Sequence, residues 1–178
     1  MGSQMIQSMC PLHCHIEDSK RFDEKLLNYC QMIARKEESV ADLVAFGKKN
    51  FSCPGPWDTT ICLTHALRQA INQKTNRRLC KELNAEFVEI NGKDGPMLLW
   101  AGLTVIGAGH SRKVMNGAFM EVTKVGEEKI ELGEVTLTHC EAGKFLRLCH
   151  AITIDASQSK TLVGKIRVET NHHHLTHE

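Results

Sequence analysis

Two prolines and a glycine fall within four residues at Cys53-Pro54-Gly55-Pro56. No helix or central strand runs through such a stretch, because proline fixes φ and removes a backbone donor. The chain is therefore divided near residue 56. Ahead of the break the apolar residues keep helical spacing. Phe22, Leu26, Leu27, Met32 and Ile33 form a stripe between residues 20 and 35, and Ser39 with Asp42 opens a second helix. Behind the break the pattern changes to strand and then helix. Residues 59–64 are short, β-branched and apolar, and residues 66–83 follow with helical character.

Residues 98–139 follow a third pattern. An apolar run at 98–106, alternation through 114–125, and short apolar pieces at 130–132 and 135–137 are divided by Gly107, Gly109, Gly117, Gly126 and Gly133. This spacing predicts a small antiparallel barrel. Residues 151–154 and 165–169 then predict two strands around a polar turn at 155–160, with Asp and Ser available as helix caps. The expected fold is α/β in four parts: a helical lead-in over 1–56, a first α/β part over 57–97, an inserted barrel over 98–148 and a resumed α/β part over 149–178.

A length of 178 residues corresponds to about one domain, with room for a small insertion. Hydrophobic residues at 42% supply a real core. Twenty-two Lys and Arg against 21 Asp and Glu leave +1, which excludes a polycation wrapped on nucleic acid, so any basic site is local. Nine aromatic residues are too few for a module that stacks successive bases, while a site that grips a nucleic-acid backbone stays open. No apolar run approaches the length of about 18 residues that suggests a membrane span, and the N-terminus lacks a basic region followed by an apolar one. The eight Cys are then expected as reduced thiols in an intracellular compartment, with nucleus or cytoplasm left open.

Residues 61–81 carry Arg68, Lys74, Arg77, Arg78 and Lys81 and no acid, a local +5 within a chain of +1. Arg68, Asn72 and Asn76 recur every four residues and share one helix face, with Leu67, Ala70 and Ile71 expected to face inward. Such a face suits phosphate oxygens; a solvated basic helix side is the structural alternative. The run Ala151-Ile152-Thr153-Ile154-Asp155-Ala156-Ser157-Gln158-Ser159-Lys160-Thr161-Leu162 ends a strand in hydroxyls, an amide and a helix start. Oriented N–H and O–H donors of this kind suit an anion, and they also cap helices for structural reasons alone.

The ordered set Ile61-Cys62-Leu63-Thr64-His65-Ala66-Leu67-Arg68-Gln69-Ala70-Ile71-Asn72, Gly102-Leu103-Thr104-Val105-Ile106, Val114-Met115-Asn116-Gly117 and Ala151-Ile152-Thr153-Ile154 with Ser157-Gln158 and Thr161-Leu162 resembles the C-terminal half of superfamily 1 DNA helicases of the 5′-to-3′ branch, over about residues 58–178. The resemblance implies part of a second RecA-like domain, with an inserted small β-barrel around Val114-Met115-Asn116-Gly117. It implies single-stranded DNA as partner, with Thr153, Asp155 and Ser157 near the DNA backbone and Gln158 and Ser159 near the coupling to nucleotide. Arg68 and Asn72 join the expected nucleic-acid face. The family usually has Gly where Ser159 stands and His-Lys where Asp155-Ala156 stand.

ATP and magnesium are implied by the family only. The chain contains no Gly-x-x-x-x-Gly-Lys-Ser/Thr phosphate loop and no acidic strand-end motif beside one. It ends at Asn171-His172-His173-His174-Leu175-Thr176-His177-Glu178, where the family continues toward its arginine finger. The expectation is a fragment of an ATP-dependent helicase, inactive alone and completed by an N-terminal half.

A rival reading is a zinc-stabilised interaction module. Cys10-Pro11-Leu12-His13-Cys14-His15 holds four soft ligands in six residues, and Cys10 and Cys14 are the candidate metal ligands, with Cys30 or His completing the set. A Cys–His hydrolase built on His139, Cys140, Cys149 and His150 is disfavoured, because neighbours on a strand point to opposite faces.

Overall fold

The computed structural model describes residues 23–109, 111–158 and 160–169. The chain divides into two compact units, one through Pro54 and one from Gly55.

The first unit contains α1 (Glu24–Arg35) and α2 (Val40–Phe51). Each begins at a side-chain cap. The Leu26 N–H donates to Asp23 Oδ1 at 2.7 Å, and the Asp42 N–H to Ser39 Oγ at 3.2 Å; both satisfy donors that a helix start leaves open. Tyr29, Phe46 and Phe51 gather their rings within 5.4–6.3 Å of one another, yet neither helix has a fully buried residue.

The second unit opens with β1 (Thr59–Cys62) and the long helix α3 (His65–Leu83). The break at Pro54-Gly55-Pro56 thus gives way to the predicted strand and helix. Two short strands from the far end of the chain, β10 (Ala151–Thr153) and β11 (Ile166–Val168), pair with β1 on either side. Both pairings are parallel, with Thr60 opposite Ala151 and Cys62 opposite Thr153 on one side and Thr60 opposite Arg167 on the other.

Between these parallel strands the chain builds three small antiparallel sheets. The hairpin β2 (Val88–Gly92) and β3 (Gly95–Leu99) forms one. A second takes β5 (Phe119–Glu121), β4 (Thr104–Gly107) and β9 (Leu146–Leu148) in that order, and a third takes β6 (Lys124–Val125), β7 (Lys129–Leu132) and β8 (Val135–Thr138). They share one core that includes Ile90, Leu99, Val105, Val122, Ile130, Leu137 and Leu146. Antiparallel structure therefore begins at Val88, ahead of the expected start at residue 98. Close approach explains Gly107, where a Cβ would run into the Met115 carbonyl.

Two elements depart from the sequence expectation. Residues 139–145 form helix α4 (His139–Phe145) rather than strand. Thr138 and Glu141 make a reciprocal capping box, with the Glu141 N–H on Thr138 Oγ1 at 3.2 Å and the Thr138 N–H on Glu141 Oε2 at 2.9 Å. Gly143 lets this helix lie against β2, where a Cβ would meet the Asn91 carbonyl. The second departure is α3, whose buried residues are Arg68, Asn72, Asn76 and Cys80. Leu67 and Ile71, expected inside, are half-buried, and Ala70 is exposed. The face turned inward is the polar one.

The last short helix, α5 (Ile154–Ser157), starts at the end of the expected strand, and Thr153 rather than an Asp or Ser of the polar turn caps it by accepting the Ala156 N–H at 3.3 Å. Among the described residues no helix is long and apolar enough to cross a membrane.

Candidate functional site

The parallel pairing of β1 and β10 brings the end of β10 beside the first turn of α3. A cleft of about 290 Å³ opens there, lined by His65, Arg68, Arg147, Thr153, Asp155 and Ala156, with Ile106, Leu148, Ala151 and Ile152 as its apolar wall. Crevices at the carboxyl ends of parallel strands are common ligand sites, because helix starts converge there.

Arg68 is buried to 6% exposure, and its Nη1 donates to Asp94 Oδ2 at 2.7 Å. Gln69 donates to the other carboxylate oxygen at 2.9 Å. Burial pushes the Asp94 carboxyl up, but the hydrogen bonds from Arg68 and Gln69 and the charges of Arg68 and Arg147 outweigh it and hold the group below the usual carboxylate range. Arg147, from β9, lies lower than an ordinary guanidinium. Burial is the main cause, the Arg68 charge adds to it and the Asp94 charge opposes it.

Asp94 is half-buried; Arg68 is its ion-pair partner, and Arg147 interacts with it through charge alone. Nε of Arg68 and Nε of Arg147 are both buried without a hydrogen-bond partner. Positive charge exceeds negative in the wall of the cleft, and two N–H donors there lack acceptors. An anion with several oxygens, such as a phosphate, supplies what this wall lacks. Asp155 brings the opposite sign to the lining, from an exposed position.

The structure brings three of the sequence-predicted site residues, Arg68, Thr153 and Asp155, to this cleft. Asn72 is buried behind it. Its Nδ2 donates to the carbonyls of Leu148 and Ala151 at 3.1 and 3.0 Å, and its Oδ1 accepts the Ala151 N–H at 2.7 Å. Asn76 likewise brackets Leu98, donating to its carbonyl and accepting its N–H, both at 2.9 Å. Both amides act as internal strand partners. The Ser157 hydroxyl donates to the Ile154 carbonyl at 2.6 Å, and Gln158 is exposed at the C-cap of α5. Ser159 lies outside the described residues, as do Cys10, Cys14 and the His172–His177 segment.

Arg147 and His65 are the lining residues that sequence reasoning did not single out. The alternation Leu146-Arg147-Leu148 carries a signal, since the two leucines are buried on one side of β9 and place the arginine on the other.

Among the described residues no three His, Cys, Asp or Glu side chains come together to hold a metal ion. Burial pushes the Cys149 thiol up to about 12, and the thiol donates to the Thr104 carbonyl at 3.1 Å, so it is not a thiolate nucleophile at neutral pH. His139 and Cys140 sit at the start of α4 rather than on a strand. A comparison with models of known protein families finds no match for this chain, and a comparison with curated proteins finds none either.

Proposed function

We propose that this chain is the C-terminal part of a superfamily 1 DNA helicase of the 5′-to-3′ branch, and that its cleft grips the backbone of single-stranded DNA. In this reading the parallel strands with α3 are part of a RecA-like domain, and the antiparallel sheets form the inserted small barrel. One observation carries the proposal: two of the segments that bear the resemblance, residues 61–72 and 151–162, are neighbours through the parallel pairing of β1 with β10, and their ends line one cleft with two under-partnered guanidiniums. A phosphodiester would accept from the Nε–H groups of Arg68 and Arg147, while Thr153 and its cap order the helix start beside it. Asn72 contributes by fixing Ala151 and Leu148, and so the end of the strand that carries Arg147. Gln158 and Ser159 keep the coupling role that the resemblance implies.

The chain carries no phosphate loop for ATP with magnesium. Nucleotide turnover belongs to the parent activity, with the phosphate loop on an N-terminal half of the helicase.

Fluorescence anisotropy of a labelled oligothymidylate across a salt series tests the proposal. Each neutralised phosphate contributes about −0.7 to the log–log slope for a single strand. The expected slope is about −2 or steeper, reduced by roughly one phosphate in Arg147→Gln. Affinity unchanged in both Arg147→Gln and Arg68→Gln would overturn the assignment of the cleft.

A further inference from the structure

A second cleft, of about 500 Å³, lies at the other end of the parallel strands, against Thr59 at the start of β1 and His150 just before β10. Its size is that of a small-molecule site. The walls are mainly apolar: Leu79 and Leu83 from the end of α3, Trp100 and Leu103 from the loop after β3, and Leu162 from the loop before β11. Phe119 stands at 40% exposure, with the Lys160 ammonium 5.5 Å from its ring centroid.

Against these walls stands one hydrogen-bonding deficit. Nε2 of His150 is buried and has no partner. Burial, with a smaller contribution from the Arg78 charge, pushes the His150 imidazole down to about 4, so at neutral pH the ring is uncharged and offers one donor or one acceptor according to its tautomer. Two other polar groups nearby are already engaged. Cys149 Sγ donates to the Thr104 carbonyl, and Asp58 Oδ2 accepts the Lys165 N–H at 2.7 Å.

We propose that this cleft binds a planar heteroaromatic ring of nucleobase size, whose polar edge pairs with Nε2 of His150 and whose faces lie against the apolar walls. An aliphatic ligand would leave His150 unpartnered, and a sugar or peptide would press several polar groups against leucine and tryptophan. A flat ring with apolar faces and a hydrogen-bonding edge meets both conditions. The site does not depend on the helicase reading, because it shares no residue with the cleft lined by Arg68 and Arg147.

The chain has two tryptophans, so a Trp57→Phe variant leaves Trp100, in the wall of the cleft, as sole reporter. Titration of this variant with adenosine, guanosine, cytidine and thymidine is expected to give saturable quenching by at least one nucleoside, with a Kd tighter than about 1 mM. His150→Phe, made in the same background, keeps the ring and removes its nitrogens; affinity should fall about tenfold, the equivalent of one hydrogen bond. A second measurement uses the unmutated chain labelled with 15N-histidine, in which the saturating nucleoside should shift the Nε2 resonance of His150. Oligothymidylate and its abasic counterpart separate the sources of the ring. A shift with the first and none with the second means that the base belongs to a strand, and a shift with free nucleosides alone means a soluble ligand. Absence of both quenching and shift with all four nucleosides overturns the proposal, as does quenching that His150→Phe leaves unchanged without a His150 shift.

Discussion

Asn72 and Ala151, 79 residues apart, hold each other by a matched pair of hydrogen bonds: the Ala151 N–H donates to Asn72 Oδ1 at 2.7 Å, and Asn72 Nδ2 donates back to the Ala151 carbonyl at 3.0 Å. With a third bond to the Leu148 carbonyl, this one carboxamide ties α3 to both strands that flank the turn at Cys149-His150. Asn72→Leu keeps the volume and removes all three bonds. A buried group left without its partner costs about 1–3 kcal/mol, so the variant should lose about 3 kcal/mol of unfolding free energy in urea denaturation. A loss under about 0.5 kcal/mol would mean that the clamp is dispensable.

Asp94 should make stability depend on acid in a way that Arg68 controls. In the native chain its carboxyl lies below the usual range, so its contribution is full above the unfolded value near 4 and is lost as pH falls through the lower folded value. Without Arg68 the burial that raises the group gains weight. Arg68→Gln should therefore flatten the acid limb of urea midpoints measured between about pH 6 and pH 2.5. An unaltered limb would show that Asp94 does not report on this pair.

His150 should act in a different pH window. Its folded value of about 4 lies below the unfolded value near 6.5, so the unfolded chain binds the proton first as pH falls. The stability it contributes is present above about pH 6.5 and is lost on the way down to about pH 4, by roughly 3 kcal/mol. His150→Phe should remove that slope, read from urea midpoints at about pH 7 and pH 4.5. A histidine NMR titration with a midpoint near 6.5 in the folded chain would contradict the burial of the ring.

Asp155 should oppose the anion that Arg68 and Arg147 attract. Asp155→Asn removes an exposed negative charge from the lining, and oligothymidylate should bind about two- to threefold tighter at low salt, the gain fading as salt screens it. Weaker binding in the variant would assign Asp155 a direct hydrogen bond to the ligand instead.

Local chemistry carried much of this architecture. Cys53-Pro54-Gly55-Pro56 marks its break because proline and glycine act wherever they stand, and β1 with α3 follows from a β-branched run passing into a helix capped by Thr64. The α4 helix was also written locally, in Thr138 and Glu141, but the apolar and glycine pattern around it reads as continuous strand. Of the candidate site, Thr153 and Asp155 were legible as a strand end with a helix start. Arg147 was not, because a single arginine between leucines acquires a role only from what faces it.

The sequence by itself determined the break at Cys53-Pro54-Gly55-Pro56 and the strand and helix that follow it, since caps, breaks and periodicity act over a few residues. Only the tertiary structure decided which side of α3 turns inward. Arg68, Asn72 and Asn76 are buried because Asp94, Ala151 and Leu98 arrive from 22 to 79 residues away to meet them. A polar side chain goes inside when its partner is already there, and helical periodicity holds no record of partners so distant in the chain.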